Sequence, residues 1–248
     1  MKCSTFASWS LSTLLALSAP SLAGTLTVGS GSSVDLGTGS LALGCADLDV
    51  LGTLSAGGVG FTGGRDVVIT PSGVLNGNSA TLQLAGDWDN TGTFNAGTSS
   101  VQMVDGCGLL SAVVAGNTSF NNFAMSTASA KQVSFTAGTT QTVSGLLVAV
   151  GSLGNLLQIR STLNGAAAFL NVQGSSSTSF VDVQDNNALA GHPIGLPSNS
   201  VKGSNTPGWL LTPVIPLLPP LAGAALGLAL LALARYWLPR WRGKAVAP

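Results

Sequence analysis

Side chains that could do chemistry are scarce in this sequence, and their spacing limits what they could do. The 248 residues include nine Asp, three Cys and one His, but no Glu. His192 stands alone in the loop-like segment AGHPIG, and one loop histidine does not make a Ser-His-Asp or Cys-His arrangement. The sequence therefore predicts a protein that is not an enzyme and that needs no cofactor.

One group of oxygen-bearing side chains can be compared with calcium sites. Asp182, Asp185 and Asn186, in the segment FVDVQDNN, could offer oxygens to Ca²⁺, which takes six or more such ligands. Their spacing matches neither an EF-hand nor the glycine-rich nonapeptide repeat. Asp and Asn at the end of a strand more often form side-chain turns, so no metal site is predicted and these three residues remain the candidates for one.

Asp87 and Asp89 flank Trp88, which suggests a sugar site with an acid, a nucleophile and a stacking ring. On a β-strand the two carboxylates share one face, with their Cα atoms about 6.6 Å apart. The same alternation turns Trp88 to the opposite face. We therefore expect a solvated acidic ledge with Trp88 pointing into the core.

Cys45 and Cys107 are the cysteines of the region between the two chain ends. In an oxidising compartment they could pair, and closing a loop of that length would contribute on the order of 4 kcal/mol in the chain-entropy description. Two unpaired buried thiols are the alternative.

Charge is unevenly distributed along the chain. All nine Asp lie between Asp35 and Asp185, and residues 24–212 contain four cations, which are Arg65, Lys131, Arg160 and Lys202. This region has a net charge of −5, although the whole chain is formally neutral. An acidic, lysine-poor surface is unsuited to nucleic acid, so no nucleic-acid partner is predicted.

A weak repeat indicates the fold that must position these residues. The segments GTLSAGGVGFTG, GVLNGNSATLQLAG and GTFNAGTSSVQMVDG share a glycine, a bulky residue two positions later, a polar turn and an alternating strand. Their bulky anchors, Leu54, Leu75 and Phe94, recur at an interval of about 20 residues. Such a period predicts an all-β fold, a parallel β-helix or β-solenoid of roughly nine rungs, with a β-sandwich as the alternative.

The pattern along the chain divides it into four parts. Residues 24–190 form the predicted solenoid domain, and residues 191–215, rich in Gly, Pro and Ser, are typical of a cap and linker. Residues 1–23 have a lysine, a short apolar stretch and small residues before Gly24, as a secretory signal has. Residues 216–248 contain an uncharged apolar run, Leu217 to Ala234, which meets the length of one transmembrane helix. The cations that follow this run place the tail end in the cytoplasm and the domain outside.

Two parts of the sequence resemble known families. The stretch GDWDNTGTFNAGTSSVQMVDG, followed by SFNNFAM, QTVSGLLVAVGSLGNLLQIRSTLNG, SFVDVQDNNA and NSVKGSNTPGW, resembles a module of large secreted bacterial β-repeat surface proteins. The tail, with VIPLLPP before the apolar run and an Arg-rich end, resembles the C-terminal sorting domains of Gram-negative bacteria named for an Ile-Pro-Thr-Leu motif (IPTL-CTERM). Ile215 and Pro216 match that motif, and Leu217 and Leu218 stand where Thr-Leu is expected.

The resemblance to the sorting class implies a sorting peptidase of the inner membrane as a partner. It makes Ile215, Pro216, Arg235, Arg240 and Arg242 the residues of the sorting signal. Together with the fold, it implies an exported, non-enzymatic surface or extracellular-matrix protein that is held in the membrane at least transiently. Its further partners would be envelope or exopolysaccharide components. A polysaccharide-active β-helix enzyme and an adhesin that binds a glycan or protein are the alternatives.

Overall fold

The computed structural model describes residues 24–212, and these residues form a parallel β-solenoid. They contain 26 short strands and no helix. Each named strand pairs in parallel, in most places with the strand three positions further along the chain. The predicted solenoid is therefore confirmed. The β-sandwich alternative is wrong, because its sheets would consist of antiparallel neighbours.

Three faces run along the solenoid, and each takes every third strand as far as β25, after which β26 follows β24 on face three. Face one is a nine-stranded sheet, made of β1 (Thr25–Val28), β4 (Asp47–Val50), β7 (Val67–Ile69), β10 (Trp88–Asn90), β13 (Ser111–Ala115), β16 (Gln132–Phe135), β19 (Leu157–Ser161), β22 (Val181–Val183) and β25 (Val201–Lys202).

Face two consists of two four-stranded sheets. The first is made of β2 (Ser33–Asp35), β5 (Thr53–Ser55), β8 (Val74–Asn76) and β11 (Thr93–Asn95). The second is made of β14 (Thr118–Phe120), β17 (Thr140–Val143), β20 (Ala168–Val172) and β23 (Asn186–Asn187).

Face three is a seven-stranded sheet extended by a two-stranded one. The seven strands are β3 (Thr38–Ala42), β6 (Gly58–Gly64), β9 (Thr81–Leu84), β12 (Ser100–Met103), β15 (Asn122–Ser126), β18 (Leu146–Val150) and β21 (Ser175–Ser179). The other two are β24 (Ile194–Leu196) and β26 (Trp209–Leu211).

One rung comprises three consecutive strands, one from each face. Rung 1 begins with β1 and rung 8 with β22, so the described residues make about eight rungs, and β25 and β26 form a last, partial rung. The repeat lengthens in places, because Trp88 pairs with Val114 and Val133 pairs with Ile159, a wider interval than that between Leu54 and its partner Leu75. Extra residues in the corners between faces three and one account for this lengthening.

The core lies between the three faces and is built by alternation. The predicted anchors stack in register, since Leu54 pairs with Leu75 and Leu75 with Phe94. Leu54 and Leu75 are buried, whereas Phe94 is partly buried at the break between β11 and β14. Its ring lies 4.9 Å from that of Trp88 and 5.9 Å from that of Phe120, between ring centroids.

Parallel pairing continues beyond residue 190, where the sequence predicted a cap and linker. β25 pairs with β22, and β26 pairs with β24. Ile194, Leu196 and Trp209 are fully buried, so the Gly- and Pro-rich segment still supplies inward-facing apolar residues at strand spacing. The predicted signal at residues 1–23 and the predicted membrane segment lie outside the described residues. Between residues 24 and 212 no helix has the length and apolarity to cross a membrane.

Candidate functional site

The connections from face three to face one carry the most unusual contacts of the domain. We call this line of connections, residues 43–47, 65–66, 85–87, 104–110 and 127–131, the stapled corner. Three aspartates, Asp47, Asp66 and Asp87, are aligned along it in successive rungs. Each immediately precedes one residue of a paired row on face one, in which Leu48 and Trp88 both pair with Val67.

Each of these carboxylates accepts a hydrogen bond from the backbone of the next rung. Asp47 Oδ1 lies 3.3 Å from the amide nitrogen of Asp66, and Asp66 Oδ1 lies 2.7 Å from that of Asp87. Asp87 Oδ1 lies 2.7 Å from the amide nitrogen of Val113. The ladder therefore satisfies backbone donors where the chain turns into face one.

A partly buried arginine lies beside this ladder. Arg65 donates to Asp47 through Nε at 2.7 Å and lies 3.2 Å from Asp66 Oδ2. Burial raises the pKa of Asp66, and the neighbouring Asp47 and Asp87 add to that rise. Burial also raises the pKa of Asp49, together with the charges of Asp47 and Asp66. The three carboxylates of the ladder thus carry more negative charge than Arg65 offsets.

A disulfide joins Cys45 and Cys107, whose Cα atoms are 5.6 Å apart. Cys45 follows rung 1 and Cys107 follows rung 4, so three rung spacings, about 14 Å, would separate them in a regular stack. The segment 104–110 closes this gap by folding back along the corner. The segment therefore lies close to the preceding rungs. A Cβ added at Gly106 would lie only 3.2 Å from the Cβ of Ala85, and the Sγ of Cys107 lies 3.9 Å from the carbonyl oxygen of Gly64.

Lys131 is fully buried on the other side of this segment. Its ammonium donates to the carbonyl oxygen of Ala85, to that of Val104 at 3.2 Å and to that of Leu109 at 3.4 Å. Burial lowers the pKa of Lys131, while the charges of Asp105 and Asp87 oppose that shift. The lysine therefore acts as a fixed internal cation that holds both ends of the folded-back segment.

Asp105 completes this network from within the segment. It accepts hydrogen bonds from the Thr127 hydroxyl and the Ala128 amide, both at 2.7 Å. Burial opposes its ionisation, but these hydrogen bonds outweigh burial and lower the pKa of Asp105. The side chain is thus held as a carboxylate.

No family model, no curated protein and no solved structure matches the chain.

The side-chain oxygens of the calcium candidates accept hydrogen bonds from separate donors instead of converging on one point where a cation could bind. Asp182 pairs with Arg160, and Asp185 accepts from the Gly165 amide and the Asn205 side chain, both at 3.0 Å. Asn186 Oδ1 accepts from Trp209 Nε1 at 3.0 Å. The hydrogen bond from Gly165, followed by that from Asn205, lowers the pKa of Asp185. Among residues 24–212 there is no group of three or more His, Cys, Asp or Glu placed to hold a metal ion.

The ring and the two carboxylates of the sugar-site hypothesis are not on one surface. Trp88 is fully buried and donates through Nε1 to the Thr118 hydroxyl at 3.2 Å, in the core. Asp87 is exposed and Asp89 is half-buried. Trp88 therefore points inward, as the alternation predicted, and its ring is not available to stack on a sugar. His192 is exposed, and its Nδ1 lies 2.9 Å from the Gly174 oxygen.

Face three differs from the stapled corner in carrying no charge. None of the seven strands from β3 to β21 contains Asp, Glu, Lys, Arg or His. Small polar side chains point outward instead, among them Ser40, Thr62, Thr81, Gln83, Ser100, Gln102 and Asn122. Seven strands at about 4.8 Å spacing give an uncharged surface about 30 Å long, which is polar except at β18, where Leu146 and Val148 point outward.

Sequence reasoning missed Lys131 and the aspartate ladder. Asp47, Asp66 and Asp87 recur at about the same period as the apolar anchors Leu54 and Leu75, so the ladder had a signal in the sequence. Lys131 had none that points to its partners. The predicted sorting residues Ile215, Pro216, Arg235, Arg240 and Arg242 lie outside the described residues.

Proposed function

We propose that this chain is an exported, non-enzymatic surface or matrix protein that binds neutral envelope polysaccharide along face three. The observation that supports this proposal is the uncharged row of outward Ser, Thr, Gln and Asn side chains on six of the seven stacked strands, the exception being β18. Sugars without charge are bound by hydrogen bonds, and a repeating surface meets a repeating polymer at several points. Many weak contacts at fixed spacing then add up to useful avidity.

The tail is the second part of the proposal. Its Ile215-Pro216 pair, apolar run and basic end resemble those of a sorting signal. A peptidase of the inner membrane would recognise it after export. The tail would hold the protein in the membrane until then, and release would deliver the solenoid to the cell surface or to an exopolysaccharide matrix.

Binding along face three is tested with the purified full chain and a panel of neutral and acidic polysaccharides. Gln83 and Gln102 are paired neighbours on face three, so Gln83→Glu with Gln102→Glu places two charges on the proposed surface. Ser119→Glu with Thr142→Glu is the matched control, because these residues are paired neighbours on face two. We expect the first variant to lose binding to neutral polymer at least tenfold and the second to keep it.

Equal binding by both variants would reject face three as the binding surface. Release of soluble sugar would favour the polysaccharide-active enzyme instead, and binding to a protein alone would favour the adhesin. Sorting is tested separately by changing Arg235, Arg240 and Arg242 to Gln in the producing cell. Unchanged location and unchanged mass of the mature protein would reject the sorting role of the tail.

A further inference from the structure

The C-terminal end of the solenoid exposes apolar side chains around its rim. The residues concerned are Leu189 at 67%, Val201 at 49%, Leu210 at 52% and Leu211 at 61% exposed. Val201 lies on face one, Leu210 and Leu211 on face three, and Leu189 at the corner between faces two and three. The four residues therefore surround the end of the stack.

Two positions in the last, partial rung continue columns of the core. Leu211 pairs with the buried Leu196, and Lys202 pairs with the buried Val183. Within residues 24–212 no further strand stacks on β25 or β26. The apolar column of face three thus ends at an exposed leucine, and that of face one ends at an exposed lysine. An apolar surface with a basic side chain is suited to the headgroup region of a bilayer.

The distribution of charge along the solenoid axis also favours an approach of the C-terminal end to a lipid surface. Residues 24–105 carry seven Asp and one Arg, a net charge of −6, whereas residues 106–212 carry two Asp and three Lys or Arg, a net charge of +1, or zero without the buried Lys131. An anionic lipid surface repels the first half of the domain and tolerates the second. The end that exposes Leu189, Leu210 and Leu211 belongs to the half of the domain that can approach such a surface.

Chain length limits how far this end can move from the membrane. The apolar run of the tail begins at Leu217, five residues after Thr212. Five extended residues reach at most about 17 Å. While the tail is inserted, the C-terminal end of the solenoid is therefore held near the lipid headgroups.

We propose that the C-terminal end of the solenoid, through Leu189, Val201, Leu210, Leu211 and Lys202, docks end-on against the lipid surface while the tail anchors the chain. This inference rests on the proposed function in one respect, the insertion of the tail in the membrane. The solenoid then stands upright on the bilayer, so that face three extends away from it and is open along its length to polymer.

The test uses the full chain in vesicles that contain anionic phosphatidylglycerol and a lipid with a nitroxide at headgroup level. A fluorophore is attached through Leu210→Cys, on the last rung, or through Ser33→Cys, on rung 1. The two sites differ by eight rung spacings, about 38 Å. We expect the nitroxide lipid to quench position 210 severalfold more strongly than position 33.

Other patterns overturn the proposal in distinguishable ways. Weak quenching at both positions means a freely tethered domain, and strong quenching at both means a domain that lies on its side. Protection of position 210 that depends on protein concentration but not on nitroxide lipid assigns this end to a second copy of the chain. Release of the protein by alkaline carbonate overturns the anchor, and with it both the docking and that part of the proposed function.

A charge variant separates docking from tethering alone. Leu210→Asp is introduced in a chain labelled at Val201→Cys, and Leu153→Asp is its matched control, because Leu153 is 86% exposed in the corner after rung 6. Leu210 points outward, so the fold tolerates the change. Quenching at position 201 should fall severalfold in the first variant and stay unchanged in the control. Equal quenching in both would reject docking through this end.

Discussion

Cys45 and Cys107 are bonded to each other although three rung spacings of the stack separate their places in the fold. In a solenoid each rung contacts its neighbours only, so an end can unravel one rung at a time. The disulfide changes this for rungs 1 to 4, because it closes a loop between cysteines 62 residues apart. Rungs 5 to 8 have no covalent link of this kind among the described residues.

Removing the disulfide should therefore destabilise the N-terminal rungs most. We expect the variant Cys45→Ala with Cys107→Ala to lose about 4 kcal/mol of unfolding free energy, by the entropy of loop closure. Amide hydrogen exchange should accelerate in β1 to β12 more than in β16 to β26. The wild-type protein in reductant should behave in the same way, and the variant should not respond to reductant. Uniform acceleration along the chain would contradict this.

The stacking of rungs was predictable, and the sequence named Cys45 and Cys107 as the pair that could bond, but it did not show that they meet. Leu54, Leu75 and Phe94 recur at the rung period because each must fill the same column of the core, so their spacing revealed the register. Cys45 and Cys107 obey no such period. Their contact depends on the folding back of residues 104–110, a corner insertion, and corner insertions face solvent and leave no apolar pattern in the sequence.

The buried column gives a direct test of this core. Leu75 is fully buried between Leu54 and Phe94, and Leu75→Ala removes three carbons from the centre of that column. We expect it to lower the unfolding free energy by about 3 kcal/mol. Leu153→Ala is the control, since that side chain is 86% exposed, and it should change stability by less than about 0.5 kcal/mol. Denaturant unfolding followed by circular dichroism measures both, and similar losses would contradict the assigned core.

Lys131 should matter more for stability than any exposed lysine. The variant Lys131→Met keeps an apolar stem of similar length but leaves the carbonyls of Ala85, Val104 and Leu109 without this donor. A buried acceptor without a donor costs about 1–3 kcal/mol, so we expect a loss of about 3 kcal/mol. Lys202→Met, at an exposed position, should lose less than about 0.5 kcal/mol. A variant Lys131→Met as stable as wild type would show that the carbonyls find other donors.

This lysine shows why the site was harder to predict than the fold. Its three acceptors are backbone atoms 46, 27 and 22 residues earlier in the chain. Backbone carbonyls carry no residue-type signal, so no motif marks their convergence on Lys131. The aspartate ladder could have been found, because Asp47, Asp66 and Asp87 share the period of the anchors, but their partners are backbone amides as well.

Two aspartates of the stapled corner should respond to neutralisation in opposite directions. The folded state raises the pKa of Asp66, so ionising it at neutral pH costs stability, and this cost is absent below about pH 3.8. Asp66→Asn keeps an oxygen for the Asp87 amide and removes like-charge repulsion, so we expect a gain of about 0.5 kcal/mol at pH 7.

For Asp105 the expected change in unfolding free energy on neutralisation has the opposite sign. Its pKa is lowered in the folded state, so it contributes stability above the unfolded value near 3.8 and loses it as the pH falls through the folded value. Asp105→Asn should therefore cost about 1 kcal/mol at pH 7, because the hydrogen bonds from Thr127 and Ala128 lose a charged acceptor. Urea unfolding of both variants between pH 7 and pH 2.5 checks this. Each difference from wild type should shrink in acid, since protonation then makes the wild-type side chains neutral as well, and two shifts of the same sign at pH 7 would refute the assignment.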